Sequence, residues 1–101
     1  MPFPHIQGAF REYIVADMAQ CAPADGLTAA EAAVAEPLAV CLHAARQAGD
    51  LVGKRVLVTG CGPSGMLCIL VARAAGATET VATDRTPVTV EMARRLGVDR
   101  G

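Results

Sequence analysis

Two short runs in the second half of the chain have the pattern of strands, and the first of them is hydrophobic. The run Arg55–Thr59 (RVLVT) is rich in β-branched residues and carries little alternation of polar positions, which is typical of a strand in a parallel sheet. The run Glu79–Thr83 is predicted to be a second strand, which ends just before Asp84. We therefore predict two neighbouring parallel strands.

A helical pattern follows each predicted strand. Residues 63–75 start with a proline at a tolerated first position and are followed by Gly76. A second helix is expected from Thr86, whose hydroxyl can cap it, to Gly97, which closes it. The order strand, helix, strand, helix predicts a βαβα unit of the α/β class.

The first half of the chain has a different pattern. Residues 8–17 (GAFREYIVAD) roughly alternate apolar with polar side chains, which predicts a strand. Thr28 and Glu31 have the spacing of a capping box, so an Ala-rich helix is expected after them. Pro37 removes a backbone donor and forces a kink or a restart, after which the helix continues to Gly49.

Composition narrows the range of functions. The chain has 101 residues, 52% hydrophobic but only 3% aromatic, which suits one small core of aliphatic side chains. The net charge is −1 and no basic stripe occurs, which argues against nucleic acid as a partner. The longest uncharged apolar stretch, residues 66–72, is too short to span a membrane, and no signal peptide is evident, so we expect a cytoplasmic protein.

The four cysteines do not form a metal-binding motif. Cys21, Cys41, Cys61 and Cys68 include no CxxC pair, and no histidine has the spacing of a zinc finger. Reduced, scattered thiols are expected. Cys61 is distinctive only because it lies inside a glycine-rich turn.

That turn has the spacing of a dinucleotide-binding fingerprint, Gly60-x-Gly62-x-x-Gly65. Gly60 would let the chain leave the strand in a tight turn, Gly62 would let a pyrophosphate approach the backbone, and Gly65 would let the helix pack closely. Pro63 gives up an amide that has no helical partner, and the amides of residues 64–66, beginning with Ser64, are expected to face the phosphates.

An acidic residue stands where the fingerprint requires one. Asp84 follows the second predicted strand, 19 residues beyond Gly65, where a carboxylate can accept hydrogen bonds from the ribose of NAD. The same charge would repel the 2′-phosphate of NADP. Arg85 has the opposite effect, because an arginine there can pair with that phosphate. The residues therefore favour NAD over NADP without excluding NADP.

Two other interpretations of the turn stay open. It could belong to an α/β domain that binds nothing. It also looks like the first motif of S-adenosylmethionine-dependent methyltransferases, although those place an acidic residue two positions before the first glycine, where this chain has Val58.

With these residues placed, the chain resembles the polyol branch of the zinc-dependent medium-chain dehydrogenases, which includes the sorbitol dehydrogenase and L-idonate 5-dehydrogenase families. The resemblance covers nearly the whole sequence, and the segments that carry it are GAFREYIVAD, DGLTAAEAAVAEPLAVCLHAARQAG, GKRVLVTGCGPSG and TDR. It implies a partial Rossmann unit, preceded by a strand and a kinked helix from the junction with a catalytic domain. Residues 1–49 would be the edge of that catalytic domain, and residues 50–101 the first half of the NAD-binding domain.

The resemblance also implies an activity for the parent enzyme. A catalytic zinc would lower the pKa of a substrate hydroxyl, and a hydride would pass from a polyol or an L-idonate-like sugar acid to NAD. Of the family's zinc-binding residues only one has a counterpart, Glu36. The Cys and His-Glu ligands would belong to an upstream domain that this sequence does not contain, so we expect a fragment without catalytic competence of its own.

Several residues depart from that family or have simpler explanations. From spacing alone Glu36 is an exposed helix carboxylate, His43 is two turns away, and His5 carries no functional indication. Family members often have an arginine that covers the adenine where this chain has Thr89, and a bulky aliphatic residue where it has Ser64.

The predicted sheet is marginally stable by itself, because its two strands would leave open edges and an uncovered face. We therefore also expect homo-oligomers or self-association.

Overall fold

A computed structural model describes residues 8–101. After a short 3-10 helix at Met18–Gln20, four α-helices and two strands follow in the order α1 (Ala29–Ala33), α2 (Ala35–Ala48), β1 (Arg55–Thr59), α3 (Pro63–Ala74), β2 (Glu79–Thr83) and α4 (Pro87–Arg95). The predicted βαβα unit is therefore confirmed, and both strands have the predicted bounds. His5 lies outside the described residues.

The two strands pair in parallel, in a register that places Leu57 opposite Val81. Val81 also forms a parallel bridge with Arg100, and the amide of Ala82 donates to the Arg100 carbonyl at 2.8 Å. Because one edge of β2 is occupied by β1, Arg100 must lie on the other edge. The chain beyond α4 thus returns to the second edge of β2 in the parallel direction, as it does in a Rossmann half-domain.

The core lies on one face of this sheet. It is a cluster of buried side chains from α3, β2, α4 and the connecting turns, with Val58 and Met66 packed against it: Cys61, Ile69, Ala82, Ala93 and Val98. The opposite face lacks such a cover among the described residues, and Leu57 in the middle of β1 is 62% exposed. Burial of small aliphatic side chains therefore stabilises only one face of the sheet.

The helix that precedes the sheet is interrupted as predicted. The Thr28 hydroxyl accepts from the Glu31 amide, and the Glu31 carboxylate accepts from the Thr28 amide at 2.8 Å, so the capping box is confirmed. The break falls at Val34, which ends α1 and begins α2. Pro37 explains it, because its nitrogen cannot donate to the carbonyl four residues earlier and its ring clashes there.

The strand predicted over residues 8–17 is wrong. The segment contains bends and no strand, and every residue from 8 to 31 is exposed, with Phe10 and Val15 fully so. Strand pairing among the described residues involves only β1, β2 and Arg100. An alternating pattern becomes a strand only where a second strand satisfies its backbone groups, and no described segment does so here.

None of the helices in residues 8–101 is both long enough and apolar enough to cross a membrane. The helices are amphipathic or Ala-rich, and the longest, α2, has 14 residues.

Candidate nucleotide-binding site

The glycine turn lies at the carboxyl end of β1, beside the carboxyl end of β2. Gly60 has a φ of +91°, a conformation that favours glycine. Its amide donates to the carbonyl of Thr83 at 2.7 Å and so extends the strand pairing into the turn. The tight turn predicted for Gly60 is therefore present in the structure.

The other two glycines are required for different reasons. A Cβ on Gly65 would lie 1.8 Å from the carbonyl oxygen of Gly60, so only glycine permits this approach of α3 to the turn. A Cβ on Gly62 would meet nothing within 4 Å. The space over Gly62 is therefore open, which leaves its backbone accessible to a ligand.

The first turn of α3 presents backbone donors. Pro63 occupies the first helical position, and the amides of Ser64 and Gly65 have no acceptor among the described residues. The Met66 amide was predicted to be free as well, but it donates to the Gly62 carbonyl at 2.9 Å. That part of the prediction is wrong because the helical hydrogen-bond pattern already begins at Met66. Two free amides at a helix N-terminus favour an anion there.

Asp84 holds this turn in place. One carboxylate oxygen accepts from the Cys61 amide at 2.6 Å, and the other accepts from the Thr86 amide at 2.9 Å. These hydrogen bonds, the one from Cys61 first, lower the pKa of Asp84 below its ordinary 3.8. The carboxylate is therefore ionised at neutral pH and acts only as an acceptor.

The same contacts correct the predicted cap of α4. Thr86 is the N-cap residue, but its hydroxyl caps no amide. The charged acceptor two residues earlier, Asp84, supplies the hydrogen bond at this helix start instead. The hydroxyl of Thr89 donates to the Thr86 carbonyl, with 2.7 Å between the two oxygens, and lies near the Asp84 carboxylate.

An open cleft of about 540 Å³ lies between the ends of the two strands and is lined by Thr59, Gly60, Thr83, Asp84 and Arg85. Its floor is the backbone of the turn, its acidic group is Asp84, and its basic group is Arg85. Arg85 is exposed and forms no ion pair within residues 8–101. The cleft can therefore accept hydroxyl donors at Asp84 and an anionic group at Arg85.

Cys61 has a structural function that its sequence position does not reveal. Its thiol is buried, lies 3.7 Å from the Thr83 carbonyl and packs in the core. Burial, and secondly the charge of Asp84, raises the pKa of this thiol. Cys61 is thus a neutral core residue, and its amide is the group that meets Asp84. No side-chain motif could have indicated a contact made by a backbone amide.

The candidate zinc ligand lies apart from this cleft. Glu36 is exposed in the first turn of α2, and His43 is exposed on the same helix. No group of three or more His, Cys, Asp and Glu side chains that could hold a metal ion occurs in the described part of the chain. One exposed carboxylate does not supply a tetrahedral zinc site, so the residues present do not fit zinc.

Comparison with known proteins identifies the family. No family model matches the chain. It is 41% identical over 100 residues to L-idonate 5-dehydrogenase (NAD(P)(+)) of Escherichia coli K12, covering 98% of this chain and 29% of that protein. The crystal structure of L-idonate 5-dehydrogenase from the same organism superposes with a TM-score of 0.91 at 40% identity, covering 99% of this chain and 29% of that one. The chain belongs to the polyol branch of the medium-chain dehydrogenases.

Human sorbitol dehydrogenase shows the breadth of this branch. It is 44% identical over 75 residues, which are 74% of this chain and 21% of that enzyme. This polyol-branch chain therefore spans less than a third of the length of the curated relatives described here. The relatives are polyol and sugar-acid dehydrogenases, and the partial Rossmann fold predicted from the sequence is confirmed by the superposition.

Proposed function

We propose that this chain forms the adenosine- and pyrophosphate-binding part of a zinc-dependent oxidoreductase that transfers a hydride between a polyol or L-idonate-like sugar acid and NAD. The observation that carries the proposal is the 2.6 Å hydrogen bond between Asp84 and the Cys61 amide. It brings the acidic residue and the glycine turn together at one edge of the sheet, where ligands of open α/β sheets bind.

Each part of the nucleotide would meet a different group. The free amides of Ser64 and Gly65 would hold the pyrophosphate, with Gly62 and Pro63 leaving room for it. Asp84 would accept from the ribose hydroxyls, because each carboxylate oxygen has a lone pair beyond the one that it uses for the turn. When bound, NAD supplies the hydride acceptor.

Asp84 favours NAD, since its ionised carboxylate would repel a 2′-phosphate. Arg85 lies on the same cleft and can pair with that phosphate, so NADP would bind more weakly rather than be rejected. The name of the Escherichia coli relative includes both cofactors, which supports binding of either one.

The zinc and the substrate belong to the proposal for the longer enzyme. Glu36 would act on the metal only together with ligands other than the described residues, because a single exposed carboxylate does not bind zinc tetrahedrally. We infer that residues 1–49 are the edge of the catalytic domain and that residues 50–101 are the first half of the nucleotide-binding domain. The isolated chain would then bind nucleotide without turnover.

Titration calorimetry of the 101-residue chain with NAD and NADP tests the proposal. We expect saturable binding of NAD, weaker binding of NADP, and at least a tenfold loss of NAD affinity in Asp84→Ala. Asp50→Ala is the matched control, because Asp50 also accepts a backbone amide, at 3.0 Å, but lies before β1, away from the turn. Absence of NAD binding by a chain with native circular dichroism, or equal losses in both variants, would refute the proposed site.

One observation favours a second candidate, an oligomerising module. Leu57 lies uncovered in the middle of β1, and Phe10 and Val15 are fully exposed. Apolar surface of this kind is normally covered by another chain or domain. Concentration-dependent association without nucleotide binding would favour this candidate over the first.

A further inference from the structure

Two cysteines that the proposed function does not use meet between α2 and α3. Cys41, in the middle of α2, is only 2% exposed. Its sulfur lies 3.3 Å from the carbonyl oxygen of Ser64, in the first turn of α3. Cys41 therefore marks the point where α2 packs on α3.

Cys68 lies one helical turn beyond Ser64, on the same side of α3. Its thiol is close enough to that of Cys41 for the two groups to interact. Both cysteines line a cavity of about 280 Å³ between α2, α3 and β1. The two thiols thus lie near each other at the contact of α2 with α3, with adjoining space in which they can move, although they are 27 positions apart in the sequence (68 − 41).

We propose that Cys41 and Cys68 are a redox site, which a small disulfide oxidant converts into a reversible disulfide joining α2 to α3. In the first step the Cys68 thiolate attacks one sulfur of the oxidant RSSR, which forms a mixed disulfide and releases RS⁻. In the second step the Cys41 thiolate attacks the Cys68 sulfur and releases the second RS⁻. The two thiol protons end on the two leaving groups, so two thiols and RSSR give one protein disulfide and two RSH.

The order of attack follows from exposure. Cys68 is partly exposed and can meet the oxidant, whereas Cys41 is almost completely buried and can react only with its neighbour. Burial, and then the interaction with Cys41, raises the pKa of the Cys68 thiol. Cys68 is therefore held as a neutral thiol, and its oxidation needs excess oxidant and time.

The remaining cysteines provide an internal comparison. Cys21 is exposed and contacts the Asp17 carbonyl at 3.6 Å, while Cys61 contacts the Thr83 carbonyl at 3.7 Å within the core. If exposure alone decided oxidation, Cys21 would be the first to react and would link chains to each other. If proximity decides, Cys41 and Cys68 would link within one chain.

The full chain is incubated with excess oxidised glutathione, alkylated under denaturing conditions and weighed by mass spectrometry. We expect a species that has lost two hydrogens and takes up two alkyl groups instead of four. Trypsin should then release residues 12–46 joined to residues 56–73, and reduction should separate them. Because each of these peptides contains two cysteines, fragmentation of the joined pair is needed to place the bond at Cys41 and Cys68.

Two variants complete the test. Cys68→Ala should abolish the joined peptides, whereas Cys21→Ala should form them at the rate of the unmodified chain. Four alkylated thiols after prolonged oxidation, or a disulfide that is mainly between chains, would overturn the proposal. The alkylation and peptide analysis of the unmodified chain tests the proposal without any variant. A variant that fails to fold therefore does not remove the test.

Discussion

The carboxylate of Asp84 accepts a hydrogen bond from the amide of Cys61 at 2.6 Å, which ties the end of β2 to the turn after β1. Its other oxygen accepts from the Thr86 amide at the start of α4. A residue that the fingerprint assigns to the ribose is therefore also a positioning residue for the backbone that would meet the pyrophosphate. Both halves of the proposed nucleotide site depend on this one carboxylate.

Acid should loosen this connection. The folded-state pKa of Asp84 is lowered by the hydrogen bonds from Cys61 and then Thr86. Its contribution to stability is therefore complete above the ordinary value of 3.8 and is lost as the pH falls through the lower folded-state pKa. Urea denaturation between pH 7 and pH 2 should show part of this loss in the unmodified chain, and a smaller loss in Asp84→Asn. Asp50→Asn is the control and should keep the full acid response.

The second prediction separates two glycines of the turn. Gly65→Ala should lower the free energy of unfolding by about 2–3 kcal/mol, because its methyl group would overlap the Gly60 carbonyl. Gly62→Ala should change the free energy of unfolding by no more than about 0.5 kcal/mol, because the added methyl would meet open space. Denaturant titration measures both.

Nucleotide titration adds a second comparison for the same pair of variants. Gly62→Ala should still weaken NAD binding, because the methyl would occupy the approach to the backbone. If Gly62→Ala bound NAD normally while remaining folded, the pyrophosphate would not lie over Gly62.

Arg85 should set the preference between cofactors. Its exposed side chain lies on the cleft beside Asp84, where it can form an ion pair with the 2′-phosphate of NADP. Arg85→Ala should reduce NADP affinity by up to about tenfold and leave NAD affinity within about twofold. Arg95→Ala is the matched control, since Arg95 is an exposed arginine of α4 that pairs with Glu91. Equal losses for NAD and NADP in Arg85→Ala would contradict this assignment.

Elements with local sequence determinants were predicted correctly. Thr28 and Glu31 form their capping box because both partners lie within one turn, and Pro37 interrupts its helix through its own missing donor. The bounds of β1 follow from an apolar run that ends at a glycine turn, and β2 ends just before Asp84.

The features that were missed depend on groups elsewhere in the molecule. Residues 8–17 alternate like a strand, but they pair with no described segment. Thr86 has the side chain of a cap, yet Asp84 supplies a charged acceptor. The Cys61 amide could not have been recognised either, because every residue except proline has one.

The uncovered face of the sheet should make the chain associate. Leu57 is 62% exposed although it lies in the middle of a strand, and burying such a side chain contributes about 1.5–3 kcal/mol. Light scattering after size exclusion should show a mass that rises with concentration. Leu57→Thr replaces the apolar side chain with a smaller, polar one whose β-branching suits a strand, and it should weaken the association at least about tenfold. Val88→Thr, on the exposed surface of α4, should leave it unchanged. A single monomeric species at all concentrations would show that this face does not drive association.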